Sequence, residues 1–393
     1  MPLARSTAFS LLLLSTALAH GPGALTSASL KQRQPARAAE LNRDRLIAAS
    51  RAGGDYLLRV QRGDGSFHYY YNAADDRFES QTYNIVRHAG TALSLLDLYS
   101  ATRENRYLES ARRAVKLLET RFRRVPGRRA LYVLDYDGKA KLGANGLALT
   151  ALAKLIELDP KSSSRTNARR LADLIVMLQR RDGSFHTRYR LRAKDPPGPA
   201  SLYYPGEAIL GLVRLFRLNG DQRLLRTARR GADYLIASQR QIQTLPPDAW
   251  LMQALEALYN VGKEKRYADH VIALADAMIA DQYSDDDPEG NAGGFGPGPP
   301  RVTPAASRAE GMVAAYRIAR ATGDARASKI ATALKASAKF QLTRQLSQEN
   351  RPAVPNPARA AGGFYEQPYA PKIRIDFVQH NISSLLGVAE TLY

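Results

Sequence analysis

Residues 56–67 (YLLRVQRGDGSF) and 174–185 (LIVMLQRRDGSF) are nearly the same phrase. Each reads as the end of an amphipathic helix followed by glutamine, a tight turn at glycine and an aromatic. Residues 234–239 (YLIASQ) begin the phrase a third time without its Gly-x-Phe ending. Self-similarity on this scale constrains the fold more than any single residue, because a repeated unit buries its apolar face only against its own neighbours. The phrase predicts helical hairpins, repeated.

Periodicity near 3.6 residues divides the chain into two alternating kinds of helix. One kind is charged on one face: 41–61, 106–123, 166–180, 222–240, 266–282 and 325–345. The other is apolar almost all round: 83–100, 145–158, 204–218, 248–262, 307–322 and 376–391. The first kind meets solvent and the second is enclosed. Six outer and six inner helices in strict alternation predict an all-α (α/α)6 barrel, a toroid of six hairpins spanning 38–393 as one domain. Inner-to-outer links are short, such as Asn219-Gly220-Asp221 and Thr322-Gly323-Asp324. Outer-to-inner links are long and rich in Gly, Pro and aromatics: 62–80, 124–143, 181–202, 283–306 and 346–375. Long loops on one face are where such a scaffold carries function. The exception is the link at 241–247, which predicts an open sector of that rim. Phe67–Tyr71 and Ala130–Leu134 read as short strands inside the loops.

The pattern carried by Tyr56, Leu57, Gln61, Gly65 and Phe67, and again by Gln179, Gly183 and Phe185, resembles the QW repeat of terpenoid cyclases and prenyltransferase-type toroids. In that group the repeat ties helix ends to turns. The cyclases' acid motif is only echoed by Asp135-Tyr136-Asp137-Gly138, and the prenyltransferases' zinc cysteine is absent. The layout also resembles six-hairpin glycosidases, sugar epimerases of the N-acylglucosamine type and several polysaccharide lyases. The resemblance implies a fold more strongly than an activity.

Composition narrows the setting. There is no cysteine, so disulfides, zinc–thiolate sites and thiol nucleophiles are excluded. Residues 1–30 read as a signal peptide and leader: Arg5, an apolar core from Ala8 to Leu18, and the cleavage-site pattern Ala17-Leu18-Ala19. An exported protein without disulfides suits a bacterial periplasm or secretion. The net charge of +20 favours an anionic partner over a neutral one, although solvated outer helices account for it equally well. No nucleic-acid-binding module is present, and no transmembrane segment follows the leader.

In a barrel of this kind the N-termini of the inner helices converge beneath the long loops and favour anions. The first inner helix carries Tyr83, Asn84, Arg87 and His88. The last carries Arg374, Asp376, Gln379 and His380. The two histidines are expected to be neighbours in the closed ring. Carboxylates recur at matching places: Glu207, Asp248, Glu310 and Asp376. Each also reads as a helix cap, with Ser307 and Glu310 forming a capping box. Together with Tyr204 and Trp250 they read as a sugar cleft, where paired carboxyls supply acid and base.

Arg87, Arg308 and Arg374 either pair with those acids or grip a substrate carboxylate, as a uronic acid would require. His88, His380 and Tyr83 are then candidates for proton abstraction. No cofactor is called for. Asp285-Asp286-Asp287 and Glu289 form an acidic loop that could hold Ca2+ but reads more simply as solvated. Asn381-Ile382-Ser383 matches a glycosylation triplet inside a predicted helix, which discounts it. The reading is an exported enzyme acting on an acidic, uronate-containing glycan, with hydrolysis ahead of C5-epimerisation or β-elimination. A non-catalytic glycan-binding or scaffolding toroid is the alternative, and a terpenoid cyclase comes third.

Overall fold

The computed structural model describes residues 40–192, 198–288, 290–347, 354–367 and 370–393. The inner helices are α2 (Ile85–Thr102), α4 (Leu142–Leu158), α6 (Tyr204–Asn219), α8 (Ala249–Gly262), α10 (Val302–Thr322) and α13 (Ile375–Leu392). The outer ones are α1 (Arg43–Val60), α3 (Asn105–Thr120), α5 (Arg165–Met177), α7 (Gln222–Gln239), α9 (Lys265–Ala280) and α11 (Ala327–Thr343). A single turn, α12 (Pro357–Ala360), lies in the last long link. Each inner helix packs on the next, and α13 packs back on α2, which closes the ring. The expected (α/α)6 toroid is the fold.

The hairpins differ from simple sequence order. α2 pairs with α3, α4 with α5, α6 with α7, α8 with α9 and α10 with α11, while α1 packs chiefly against α13. The sixth hairpin therefore joins both ends of the described chain. Leu46, Leu57, Leu385 and Ile382 are fully buried there. Each such side chain contributes roughly 2 kcal/mol relative to exposure.

The repeated phrase is the device that locks outer helices together, and it occurs four times among the described residues. Gln61 Nε2 donates to Gly65 O within its own loop and, at 3.0 Å, to Ser110 O of α3. Gln179 does the same to Gly183 O and to Thr227 O of α7. Gln282 reaches Gly293 O and Ala333 O of α11, and Gln345 reaches Gly362 O and Ala49 O of α1. All four glycines have φ between 80 and 96°. At Gly65 a Cβ would stand 2.2 Å from Arg113 O, so both the turn and the close approach demand glycine.

A second tie repeats on the outer surface. Arg106 pairs with Asp55, Arg223 with Asp173, Arg266 with Asp233 and Arg326 with Asp276, each joining successive outer helices at 2.6–3.0 Å. Exposed pairs of this kind contribute about 0.2–1 kcal/mol each. Part of the basic charge is therefore spent on the belt of outer helices.

Short sheets stitch the long loops into a rim. β1 (Tyr70–Asn72) lies between β2 (Arg77–Phe78) and β8 (Ala370–Arg374), and β7 (Tyr365–Gln367) flanks β8. The first and last long loops are thus hydrogen-bonded to each other, with Tyr71 opposite Ile373. β3 (Phe122–Arg124) pairs with β4 (Leu131–Val133), and β5 (Ala140–Lys141) with β6 (Arg188–Tyr189).

The inner helix α10 starts at Val302, before the expected 307. Pro304 falls in its first turn, where no N–H is needed. This corrects the expected capping box. Ser307 and Glu310 lie inside the helix, Ser307 Oγ donating to Pro304 O.

Candidate active site at the loop-bearing mouth

A cavity of about 530 Å3 opens where the inner helices begin. α6 brings Tyr204 and Glu207, α8 brings Trp250, α10 brings Ser307 and Arg308, and α13 brings Asp376, Gln379 and His380. Asn84 and Arg87 close the ring from the α2 side. Asn84 is the N-cap of α2, its Oδ1 accepting from Arg87 N at 3.1 Å.

Glu207 is buried in the first turn of α6, after Pro205. Its Oε2 has no hydrogen-bond partner among the described residues. Burial, with the charge of Asp248 behind it, pushes its carboxyl up to about 8 against the lowering influence of His380. A carboxyl in that state keeps its proton at neutral pH and can deliver it. Asp376 is in the opposite condition. It accepts from Arg87 Nε at 2.9 Å and from Arg374 Nη2 at 2.9 Å, while Arg87 Nη1 also donates to Tyr69 Oη. The cavity therefore holds one isolated acid and one ion-paired carboxylate.

His380 meets Glu310 through Nδ1, 3.0 Å from Oε1. Burial alone would lower the imidazole, but the charge and hydrogen bond of Glu310, with Asp376 and Glu207 beyond, outweigh it and raise it. Burial also lifts Glu310 against the pull of His380, so the pair is built to share a proton. Trp250 packs edge-on to His380, ring centres 6.3 Å apart. Arg308 stacks over Phe295, 5.0 Å from the ring centre, and has no carboxylate partner among the described residues. Burial lowers its guanidinium, a cost that an incoming anion would offset.

A family model described as the beta-L-arabinofuranosidase GH127 catalytic domain matches residues 138–337, just over half of the chain. The chain belongs to that family. No curated protein matches it. Cellobiose 2-epimerase from Bacillus thermoamylovorans B4167 is 14% identical, with 88% of this chain and 99% of that one covered and a TM-score of 0.66. The GH76A alpha-1,6-mannanase from Salegentibacter sp. HEL1_6 is 11% identical, with 88% and 99% covered and a TM-score of 0.64. Cellobiose 2-epimerase from Spirochaeta thermophila DSM 6192 is 16% identical, with 89% and 96% covered and a TM-score of 0.61. These structures share the toroid. The family and this fold make the GH127-family chain a carbohydrate-active, glycoside hydrolase-like enzyme.

In this GH127 member the two histidines do not face one space. His88 is fully buried and turned outward, its Nε2 donating to Ala114 O of α3 at 2.8 Å and its Nδ1 accepting from Tyr83 Oη at 2.7 Å. Tyr83 Oη itself accepts from Phe67 N. Burial pushes the His88 ring down to about 4 and raises the Tyr83 hydroxyl, so both are neutral ties between α2 and the first long loop. The expectation that the two histidines are neighbours at the mouth is corrected: His380 lines the cavity and His88 does not.

The expected carboxylates also divide. Asp248 caps α8, accepting from Leu251 N at 3.0 Å, and does not line the cavity. Burial pushes it up to about 7. Asp376 is not a cap, since its oxygens go to arginines. Glu310 lies behind His380, outside the cavity wall. Arg374 holds Asp376 from outside the wall, and Gln379 accepts from Thr91 Oγ1 at 3.0 Å. Asp135 accepts from Ile85 N and Lys141 Nζ, a structural clamp at the start of α2.

Sequence reasoning missed Tyr203, Thr303 and Arg301 in the wall, and Glu366, whose carboxylate accepts from Thr303 Oγ1 at 2.7 Å. The late boundary placed on α10 hid its N-cap Arg301 and its first-turn Thr303. Nothing in the sequence shows that β7 brings Glu366 alongside it. In the acidic loop Asp287 Oδ2 accepts from Ser284, and Glu289 lies outside the described residues. Among the described residues no three metal-ligating side chains gather.

Proposed function

We propose that this chain hydrolyses an acidic, uronate-containing glycan at the loop-bearing mouth. The observation that carries the reading is Glu207: an unpaired, buried carboxyl that retains its proton near neutrality. Hydrolysis of a glycosidic bond needs such an acid for the leaving oxygen and a second carboxyl for the sugar. Asp376, clamped by two arginines in the same cavity, is our choice for that partner. Cysteine is absent, which leaves acid–base work to carboxyls and imidazole.

The family description names an arabinofuranoside. The wall of this cavity leads us to propose an anionic substrate, because Arg308 has no carboxylate within 4 Å among the described residues, Asp281 acting on it only from farther off, and Arg301, itself 3.6 Å from Glu366, lines the same wall. Tyr204 and Trp250 offer faces on which a sugar ring can stack. The apolar run and cleavage pattern in residues 1–30, which lie outside the described residues, support export to the periplasm or medium, and we take 38–393 to be one domain. No described helix is long and apolar enough to cross a membrane.

One observation favours a second reading. His380 faces the cavity with Glu310 at its back, an arrangement that can exchange a proton with a sugar carbon, as epimerisation requires. The test is incubation with uronate polysaccharides and matched neutral ones. New reducing ends from uronate polymers, lost in Glu207→Gln, support hydrolysis. Deuterium gained from deuterated water without new ends supports epimerisation. Cleavage of neutral polymers only would reject the acidic substrate.

A further inference from the structure

Below Glu310 the barrel does not fill with apolar side chains. A second cavity of about 300 Å3 occupies the other end of the lumen, and all six inner helices line it. Asp97 comes from α2, Lys154 from α4, Arg214 from α6, Glu256 from α8, Arg317 from α10 and Ser383 from α13. These residues stand in the C-terminal halves of their helices, apart from Ser383 at the middle of α13, whereas those of the mouth stand at the N-termini. Arg217, Asn260 and Glu390 at its edge are exposed, so the cavity reaches solvent on the face opposite the mouth.

Glu310 is the link between the two. Its carboxylate lines the lower cavity, and its Oε1 lies 3.0 Å from Nδ1 of His380, which lines the upper one. A barrel core is ordinarily closed by leucines and alanines, since buried polar groups are costly. Here the axis is polar from mouth to base. Asp97 is half-buried, has no ion pair within 4 Å among the described residues, and acts electrostatically on Glu310. Burial raises Asp97 and Glu256 above the ordinary carboxylate range, against the lowering charges of Arg214 and Arg317 that act on both. The charged groups facing His380 are Glu207 from α6, Glu310 from α10 and Asp376 on its own helix, with Arg87 of α2 neutralising the last. α8 presents Trp250.

We propose that Glu310 and the lower cavity form a proton conduit joining His380 to solvent on the face of the barrel opposite the substrate mouth. A glycan filling the mouth displaces the water that would otherwise carry protons to and from the site. The conduit serves as a back door. The N–H bond at His380 Nδ1 breaks as an O–H bond forms on Glu310, and Glu310 releases a proton to water in the lower cavity. Asp97 accepts it there and passes it to bulk water. The reverse sequence recharges His380, and no electrons are transferred. Glu310 and Asp97 act through His380 and are positioning residues in this scheme.

The conduit rests on the mouth being the reaction site, but its test needs no turnover. The Nδ1 proton faces Glu310, so its exchange with water reports the lower route, while Nε2 reports the mouth. In protein labelled with 15N-histidine, with His380→Gln assigning the signal, exchange at both nitrogens is compared in wild type, Asp97→Asn and Ala257→Leu. Ala257 lines the lower cavity, and leucine there fills space while leaving every charged residue of the lining in place. The conduit predicts Nδ1 exchange slowed by roughly tenfold or more in both variants, with Nε2 exchange unchanged. Unchanged Nδ1 exchange, or equal slowing at both nitrogens, overturns it. Activity of the wild type on glycans is measured separately, so inactivity there counts against the proposed reaction and not against the conduit.

Discussion

Gly143 on α4 makes the space in which Glu207 of α6 sits. A Cβ at 143 would lie 2.3 Å from Glu207 Oε2 and equally close to the Tyr204 ring. The acid is therefore isolated by the absence of a methyl group on the neighbouring helix. Gly143→Ala should displace both side chains and lower kcat by roughly ten- to a hundredfold, at a cost of about 1–3 kcal/mol in stability. Initial rates and thermal denaturation check the two together.

Protonated Glu207 gives a pH signature. If it is the acid, kcat/KM falls on the alkaline side as pH passes about 8. Stability carries the same sign. The folded chain binds one more proton than the unfolded chain between the ordinary value of 4.5 and about 8, so stability declines as pH rises through that window. Glu207→Gln removes this slope and gains stability above it, on the order of a few kcal/mol. Denaturant titrations at pH 5 and pH 9, approximately the two ends of the window, measure the difference.

Arg308 tests the substrate charge. Arg308→Gln should raise KM for a uronate polymer by roughly ten- to a hundredfold and leave a methyl-esterified version of that polymer unaffected. Equal loss on both polymers would assign the arginine to structure.

His88 should behave as core. His88→Ala strands the Ala114 carbonyl and the Tyr83 hydroxyl and is expected to cost about 1–3 kcal/mol, with kcat unchanged in the folded fraction. Its ring is held down to about 4, so the unfolded chain binds more protons between 6.5 and 4. Wild type consequently loses stability as pH falls through that range, and the variant loses less. Circular dichroism melts across the range read this directly.

The toroid was legible in the sequence because two independent periodicities agreed: the alternation of amphipathic and apolar helices, and the Gln–Gly–aromatic phrase. The phrase was legible at Gln61 and Gln179, where the aromatic follows six positions after the glutamine, and illegible at Gln282 and Gln345, where longer insertions part Gln282 from Phe295 and Gln345 from Phe364. The pairing of α1 with α13 was also hidden, because a contact between chain ends leaves no local pattern.

At the site, Glu207, Asp376 and His380, three of the residues that helix phase singles out, line the cavity. Helix phase could not say which way His88 turns. That depended on the Ala114 carbonyl of α3 and on Tyr83, neither predictable from spacing on α2. Asp248 shows the same limit: one residue type at a helix start is either a cap or a wall, and only the surrounding packing decides.

The central claim is that this mouth breaks a glycosidic bond with Glu207 as its acid. The most direct measurement is mass spectrometry of products formed from a uronate polysaccharide in heavy-oxygen water and, in parallel, in deuterated water. The account predicts shorter chains carrying one heavy oxygen at each new reducing end, no carbon-bound deuterium at C5, and neither product from Glu207→Gln. Full-length polymer with deuterium at C5, or cleavage without heavy oxygen, would contradict it.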